Sequence, residues 1–288
     1  MDSRNSYKIV YESSLNVIVL FFVKWHRIKQ IVFWIIRKGQ QEMKVFSMTD
    51  TGIRRTMNQD YYFASDSAVG NLPNLYIVAD GMGGHKAGEY ASRYTVECVV
   101  ASVLKNTTEY PVKILKDAII RANKILALES KTDEEKRGMG TTIVVATIIN
   151  GKMHVANVGD SRLYIINDTI RQITRDHSYV EEMIRRGQIS PEDARTHAGR
   201  NVITRAVGTE WTVEPDFFEV EIKENDKVLL CSDGLTNMVT NEMIYRIVSE
   251  GKEPKKAVKK LVDEANSNGG SDNITVVMID PYADEVME

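Results

Sequence analysis

Cysteine is scarce in this 288-residue chain, and the scarcity removes two classes of protein. Cys98 and Cys231 are too few for a disulfide scaffold or a four-cysteine zinc site. Histidine is almost as rare, with five scattered residues, which argues against a histidine-rich metal cage. Charge of one sign is lacking as well. The 37 basic and 40 acidic side chains leave −3, and a pI near 6.0 gives no general attraction to nucleic acid. No apolar run approaches the ~20 residues a membrane-spanning helix requires. Internal repeats and low-complexity tracts are absent too. What is there is 43% hydrophobic content, enough for a real core in one large domain or two small ones.

The even charge conceals an asymmetry. Residues 1–42 carry seven Lys and Arg against three acidic side chains, a net +4, which leaves −7 on residues 43–288. This leader holds two short apolar runs, 17–23 and 31–36. It lacks the small-residue cleavage site of a signal peptide. Lys24, His26, Arg27 and Lys29 spread around a helical wheel, so no amphipathic face emerges. Three readings stand: an extension upstream of a true start at Met43, a weak basic membrane contact, or a tail. The first is favoured by the sequence, because Met43-Lys44 opens a well-patterned strand.

From Met43 the pattern turns to short β-rich runs at 44–49, 61–64, 75–79, 142–149, 152–157, 163–166, 217–222, 227–231 and 274–279. Asn150-Gly151 and Asn167-Asp168 supply hairpin turns, so 141–173 reads as an antiparallel meander. Helices are expected in pairs at 86–104 with 112–129 and at 240–250 with 254–266, Thr240 capping the third and Gly251 ending it. Ser178 with Glu181 forms a capping box, and Ser190-Pro191 starts another short helix. Both lie in a polar segment, 174–201, that reads as a surface flap. The mixed-charge run 131–137 reads as a solvated loop. The expected fold is α+β: a sandwich of two antiparallel β-sheets flanked by pairs of antiparallel helices, in four α-β-β-α layers, over residues 43–288.

The informative feature is where the aspartates fall. Apolar strands stop at Asp80-Gly81, at Gly159-Asp160-Ser161 and at Ser232-Asp233-Gly234, and Asp272-Asn273 directly precedes another. A single Asp-Gly is an ordinary turn. Four carboxylates at strand ends would repel one another unless cations compensate them, and oxygen-only ligands suit Mg²⁺ or Mn²⁺ rather than zinc. At Gly81 the missing Cβ also lets a backbone carbonyl approach a metal closely.

These residues carry a resemblance. Arg55-Thr56-Met57-Asn58-Gln59-Asp60, Val78-Ala79-Asp80-Gly81-Met82-Gly83-Gly84-His85, Gly138-Met139-Gly140-Thr141-Thr142, Val158-Gly159-Asp160-Ser161-Arg162, Leu230-Cys231-Ser232-Asp233-Gly234 and Gly270-Ser271-Asp272-Asn273-Ile274-Thr275 occur in that order. Together they resemble the motifs of the metal-dependent serine/threonine phosphatases of type 2C (PPM), in their bacterial form. The resemblance covers residues 43 to about 280 and leaves the leader outside. It implies that Asp80 bridges two metal ions, that the Gly81 carbonyl binds the second, and that Asp233 and Asp272 complete the first site. It further implies that Asp160 with Asp233 holds a weaker third ion, that Asp60 hydrogen-bonds metal-bound water, and that Arg55 grips the substrate phosphate. Two departures stand out. Gln59 occupies a position where many relatives carry glutamate, and Met82 one where animal enzymes carry a histidine proposed as general acid. Met cannot donate a proton, and nothing transfers that role to His85.

The implied reaction is hydrolysis of phosphoserine and phosphothreonine by a metal-activated water, with two Mn²⁺ or Mg²⁺ ions as cofactors and Arg55 on the phosphoryl oxygens. No covalent phosphoenzyme is needed. Cys231 therefore reads as a buried strand residue, and no Cys-x5-Arg loop surrounds it. His177 reads as positioning the flap entrance, and His154 as structural. Thr141 and Thr142 read as strand starts, and Ser161 and Arg162 as holding the turn beside Asp160. Arg200 and Arg205 are open between substrate contact and a solvated or structural role. Implied partners are phosphorylated proteins, a cognate serine/threonine kinase among them, with no nucleic acid. The expected protein is a cytoplasmic monomer, with any membrane contact made through residues 1–42. Two alternatives are an inactive phosphatase-like scaffold and a phosphatase acting on a sigma-factor regulator. Asp80, Asp233 and Asp272 occurring together weigh against the first. The second is not separable by core motifs.

Overall fold

The computed structural model describes residues 42–283 apart from His85, Glu109 and Lys252, and Met43–Ala283 form one compact unit. The readings made on residues 1–41 and on His85 lie outside the described residues. Strands β1 (Glu42–Asp50), β2 (Asp60–Ser65) and β3 (Leu75–Met82) precede a helix pair, α1 (Ala87–Lys105) and α2 (Pro111–Thr132). Next come β4 (Gly140–Thr141), β5 (Ile143–Ile149), β6 (Lys152–Val158), β7 (Arg162–Ile166) and β8 (Ile170–Gln172). Short helices α3 (Tyr179–Arg185) and α4 (Pro191–Thr196) lead to β9 (Asp216–Glu221) and β10 (Lys227–Cys231). A single-turn α5 (Asp233–Thr236), the pair α6 (Asn241–Glu250) and α7 (Pro254–Ser267), and β11 (Ile274–Ala283) complete the domain.

The strands make two sheets, ordered β1-β11-β10-β7-β8 and β2-β3-β5-β6-β9, with β4 paired to β3. Period-2 alternation decides what each face covers. In β3, Tyr76 and Val78 turn inward to meet Leu163, Leu230 and Val277 of the other sheet. Leu75, Ile77 and Ala79 turn outward beneath α1 and α2, against Val99, Leu115 and Leu126. On the far side Leu229, Cys231, Val276 and Met278 pack under α6 and α7. Three apolar layers thus separate four layers of secondary structure, as the sequence pattern requires. Three of the expected caps form: Ser178 Oγ accepts from the Glu181 amide (3.3 Å), Ser190 Oγ from Asp193 (3.1 Å) and Thr240 Oγ1 from Met243 (3.3 Å).

Two expectations are corrected. The stretch 141–173 is not one meander but two hairpins in different sheets, β5-β6 in one and β7-β8 in the other. The chain crosses between sheets at 159–161, where Gly159 takes φ +103°. The run 131–137 is not a loop throughout. Helix α2 continues to Thr132, a 3-10 turn follows at Glu134–Lys136, and Lys136 pairs with Glu129 at 2.8 Å while lying 4.1 Å from the Tyr90 ring. The short elements β4, β8 and α5 have too few residues to show a period and escape sequence reading.

Candidate metal centre

One end of the sandwich gathers the acidic strand ends. Asp60 opens β2 directly opposite Asp80 near the end of β3. Asp160 follows β6, Asp233 starts α5 just after β10, and Asp272 lies two residues before β11. The ionisation of Asp80 is opposed by Asp60, Asp233, Asp160 and Asp272 together, so all five carboxylates share one neighbourhood. Burial is the larger effect. It pushes Asp60 up to about 7, with Asp233 and Asp272 adding to the rise and hydrogen bonds from Ser232 and Thr275 opposing it. Asp80 and Asp160 are raised well above the ordinary carboxylate range, again chiefly by burial. Asp233 is raised by burial and by Asp272, although Asn237 Nδ2 donates to its Oδ2 at 2.9 Å.

This arrangement fits divalent cations. Asp60 Oδ1 and Asp233 Oδ1 are buried acceptors without a donor, a costly condition that a cation removes. The acidic side chains that converge are all carboxylates, a donor type that suits a hard ion. Among the described residues no group of three or more His, Cys, Asp or Glu side chains is set to hold a metal ion as it stands.

Gly81 is explained by packing before any ligand is considered. A Cβ there would lie 2.0 Å from the Gly88 carbonyl oxygen and 2.7 Å from that of Gln59. Only glycine lets β3 pass so near the start of α1. Arg55 lies at the rim, 47% exposed, and its Nη2 donates to Asp272 Oδ2 at 2.8 Å. Of the two departures, Gln59 Nε2 reaches the Gly83 carbonyl at 3.4 Å and Met82 pairs with Gly140, so each is built into the strand-end framework. Cys231 is fully buried under α6 and α7, where burial pushes its thiol up to about 12. That is no nucleophile.

A ring of uncharged side chains holds the carboxylates, and sequence reading passed over most of it. Thr142 Oγ1 accepts from the Asp80 amide (3.0 Å), and Thr141 Oγ1 donates to the Asp80 carbonyl (2.8 Å). These two threonines frame the backbone of Asp80 rather than merely starting a strand. Ser161 Oγ is 2.7 Å from Thr142 Oγ1, and Ser232 Oγ donates to Asp60 Oδ2 at 2.6 Å. Asn273 donates to the carbonyls of Thr51 (2.8 Å) and Met57 (2.9 Å) and accepts from the Gln59 amide (2.8 Å). It thereby fixes the loop that carries Arg55. The signal for Asn273 was its place beside Asp272, but nothing local reveals partners more than 200 residues away.

Arg162 donates to both carboxylate oxygens of Asp176, at 2.7 to 3.1 Å, so it holds the rim turn as expected. Arg205 bonds Asp216 at 2.9 Å, which favours its structural role. Arg200 is exposed in the flap. His154 is half of a sheet-edge contact with Glu219 at 3.5 Å, away from the acidic end.

The protein phosphatase 2C profile matches residues 44–274. The chain belongs to the protein phosphatase 2C family. It is 41% identical over 238 residues to the serine/threonine phosphatase stp of Listeria welshimeri, covering 81% of this chain and 93% of that one. Among solved structures, serine/threonine phosphatase Stp1 of Staphylococcus aureus superposes with a TM-score of 0.77 at 36% identity, over 82% of this chain and 94% of its own. The catalytic domain of the phosphatase PstP in complex with two manganese ions gives 0.73 at 30% identity, over 83% of this chain and 97% of its own. As a type 2C phosphatase the chain is a protein-serine/threonine phosphatase, and the family is metal-dependent. No helix among the described residues is long and apolar enough to cross a membrane.

Proposed function

We propose that Asp80, Asp233, Asp272 and the Gly81 carbonyl hold two Mg²⁺ or Mn²⁺ ions, and that Asp160 with Asp233 holds a weaker third. Bound there, the ions supply Lewis acidity that makes water nucleophilic near neutral pH and stabilises charge on phosphoryl oxygens. The chain's own residues do the rest. Asp60, whose Oδ2 accepts from Ser232 while its Oδ1 has no donor, orients the attacking water by accepting its proton into a hydrogen bond. Arg55 keeps a half-exposed guanidinium beside Asp272, and its planar fork suits two phosphate oxygens. A new O–P bond forms as the serine or threonine O–P bond breaks; the attacking water gives up one proton to solvent and the released alkoxide takes one from solvent, since Met82 has none to donate.

The observation that carries this reading is the buried cluster of carboxylates with two acceptor oxygens lacking donors. A scaffold that only bound phosphoproteins would gain nothing from such a cost to stability. The substrates are then phosphoproteins of serine/threonine kinase signalling, the cognate kinase among them, handled by a monomer in the cytoplasm. The relatives named as serine/threonine phosphatases support the substrate class, and any membrane contact is assigned to residues 1–42. The test is phosphate release from a phosphothreonine peptide with and without Mn²⁺, beside Asp80→Asn and Asp233→Asn. Release should need Mn²⁺ and fall roughly 100-fold or more in both variants. Metal-independent release, or full activity in both variants, would refute the assignment.

A further inference from the structure

The turn carrying Asp160 is gripped by the residues that open the flap. His177 is 5% exposed, and it holds the Gly159 peptide from both sides. Its amide donates to the Gly159 carbonyl (2.9 Å), while its Nδ1 accepts from the Gly159 amide (3.1 Å). A ring nitrogen that accepts must be unprotonated, so the proton sits on Nε2, which faces Asp216 Oδ2 at 3.2 Å. Arg205 fixes Asp216 from its other oxygen at 2.9 Å. The preceding residue, Asp176, takes Arg162 on the opposite flank of Asp160. The returning limb closes on the same point: the Thr204 amide donates to the His177 carbonyl (2.7 Å), and Ser178 bridges Ile203.

From this we infer that His177 is a positioning residue for the Asp160 carboxylate, acting through its Nδ1 bond to the Gly159 amide. The inference rests on the reading of Asp160 as a ligand of the weakest ion. Partners that orient a ligand from behind commonly carry 10- to 100-fold of metal affinity. Here the oriented object is Gly159, the residue before the ligand, whose φ of +103° needs support.

The test is calorimetric titration of the full-length protein with Mn²⁺ alone, comparing wild type, Asp160→Asn, His177→Leu and His177→Asn, with thermal melts of each. Asn places an oxygen close to the Nδ1 position and can accept from Gly159, whereas Leu has the same branching and no acceptor. The weakest ion should be lost in Asp160→Asn and weakened about 10- to 100-fold in His177→Leu. In His177→Asn it should stay within about threefold of wild type, with the two tight ions unchanged throughout. A folded His177→Leu that binds like wild type overturns the inference. So does a His177→Asn protein that melts normally yet loses the weak ion, an outcome available even if His177→Leu fails to fold. An unchanged isotherm in Asp160→Asn removes the ligand reading first, and the inference falls with it.

Discussion

Four rim carboxylates, those of Asp60, Asp80, Asp160 and Asp233, hold their protons more tightly in the folded protein than in an unfolded chain. Folding without cations therefore takes up protons. That contribution to stability is fully present below the ordinary value of 3.8 and is lost as pH rises through the folded value, about 7 for Asp60. Cations act in the opposite sense, because they bind only the ionised cluster. With chelator present, the melting temperature should fall between pH 5 and pH 8, and Asp80→Asn should flatten that fall. Added Mn²⁺ should raise the melting temperature more at pH 8 than at pH 5. A chelated protein that is equally stable at both, with no effect of Asp80→Asn, would show the carboxylates to be ionised already. Asp80, Asp160 and Asp233 were legible because each ends an apolar run beside a glycine, and Asp272 because with Asn273 it directly precedes one, whereas Asp60 was legible only through the family resemblance. Their supports were not, since a threonine or serine looks the same whether it starts a strand or holds Asp80 from 62 positions away.

At the scale of elements, short β-rich runs marked nearly every long strand, but they did not say which sheet each strand joins. A continuous apolar run such as Leu75–Ala79 reports burial on both faces and is silent on what buries them. Hence β5 to β8 read as one meander, although the chain changes sheets between β6 and β7. The only local mark of that crossing is Gly159. Its φ of +103° disfavours any side chain, and a Cβ would lie 2.6 Å from Thr142 Cβ. Gly159→Ala should therefore destabilise the fold by about 2 kcal/mol in urea denaturation, from strain and overpacking together. The displaced turn carries Asp160 away from Asp233 and pushes on the threonine that holds Asp80. The same variant should accordingly need more Mn²⁺ for half-maximal activity at temperatures where it remains folded. A variant as stable as wild type would mean the crossing tolerates a side chain, and that the turn is looser than its contacts require.

At the scale of the whole molecule, the net charge of −3 divides into +4 on residues 1–42 and −7 on the remainder, and the two parts make separable claims. Among the described residues, the inter-sheet layer starts at Met43, whose side chain packs on it and whose sulfur lies 2.6 Å from the Tyr76 hydroxyl. The family match begins at residue 44. A protein that begins at Met43 should melt within about 2 °C of the full chain, the scale of a change that removes no core contact from a domain of this size. Its turnover of a phosphothreonine peptide should be unchanged. Starting instead at Phe46 should destabilise it, because Met43 and Val45 both pack on the inter-sheet layer. An insoluble or inactive Met43 protein would make the leader structural. Vesicles of anionic lipid separate the remaining readings: each basic residue near such a surface contributes about 1 kcal/mol of attraction, which salt screens. A domain at −7 is repelled by the same surface. Sedimentation of the full chain with these vesicles, absent in the Met43 protein and lost at high salt, would thus place the attraction in residues 1–42.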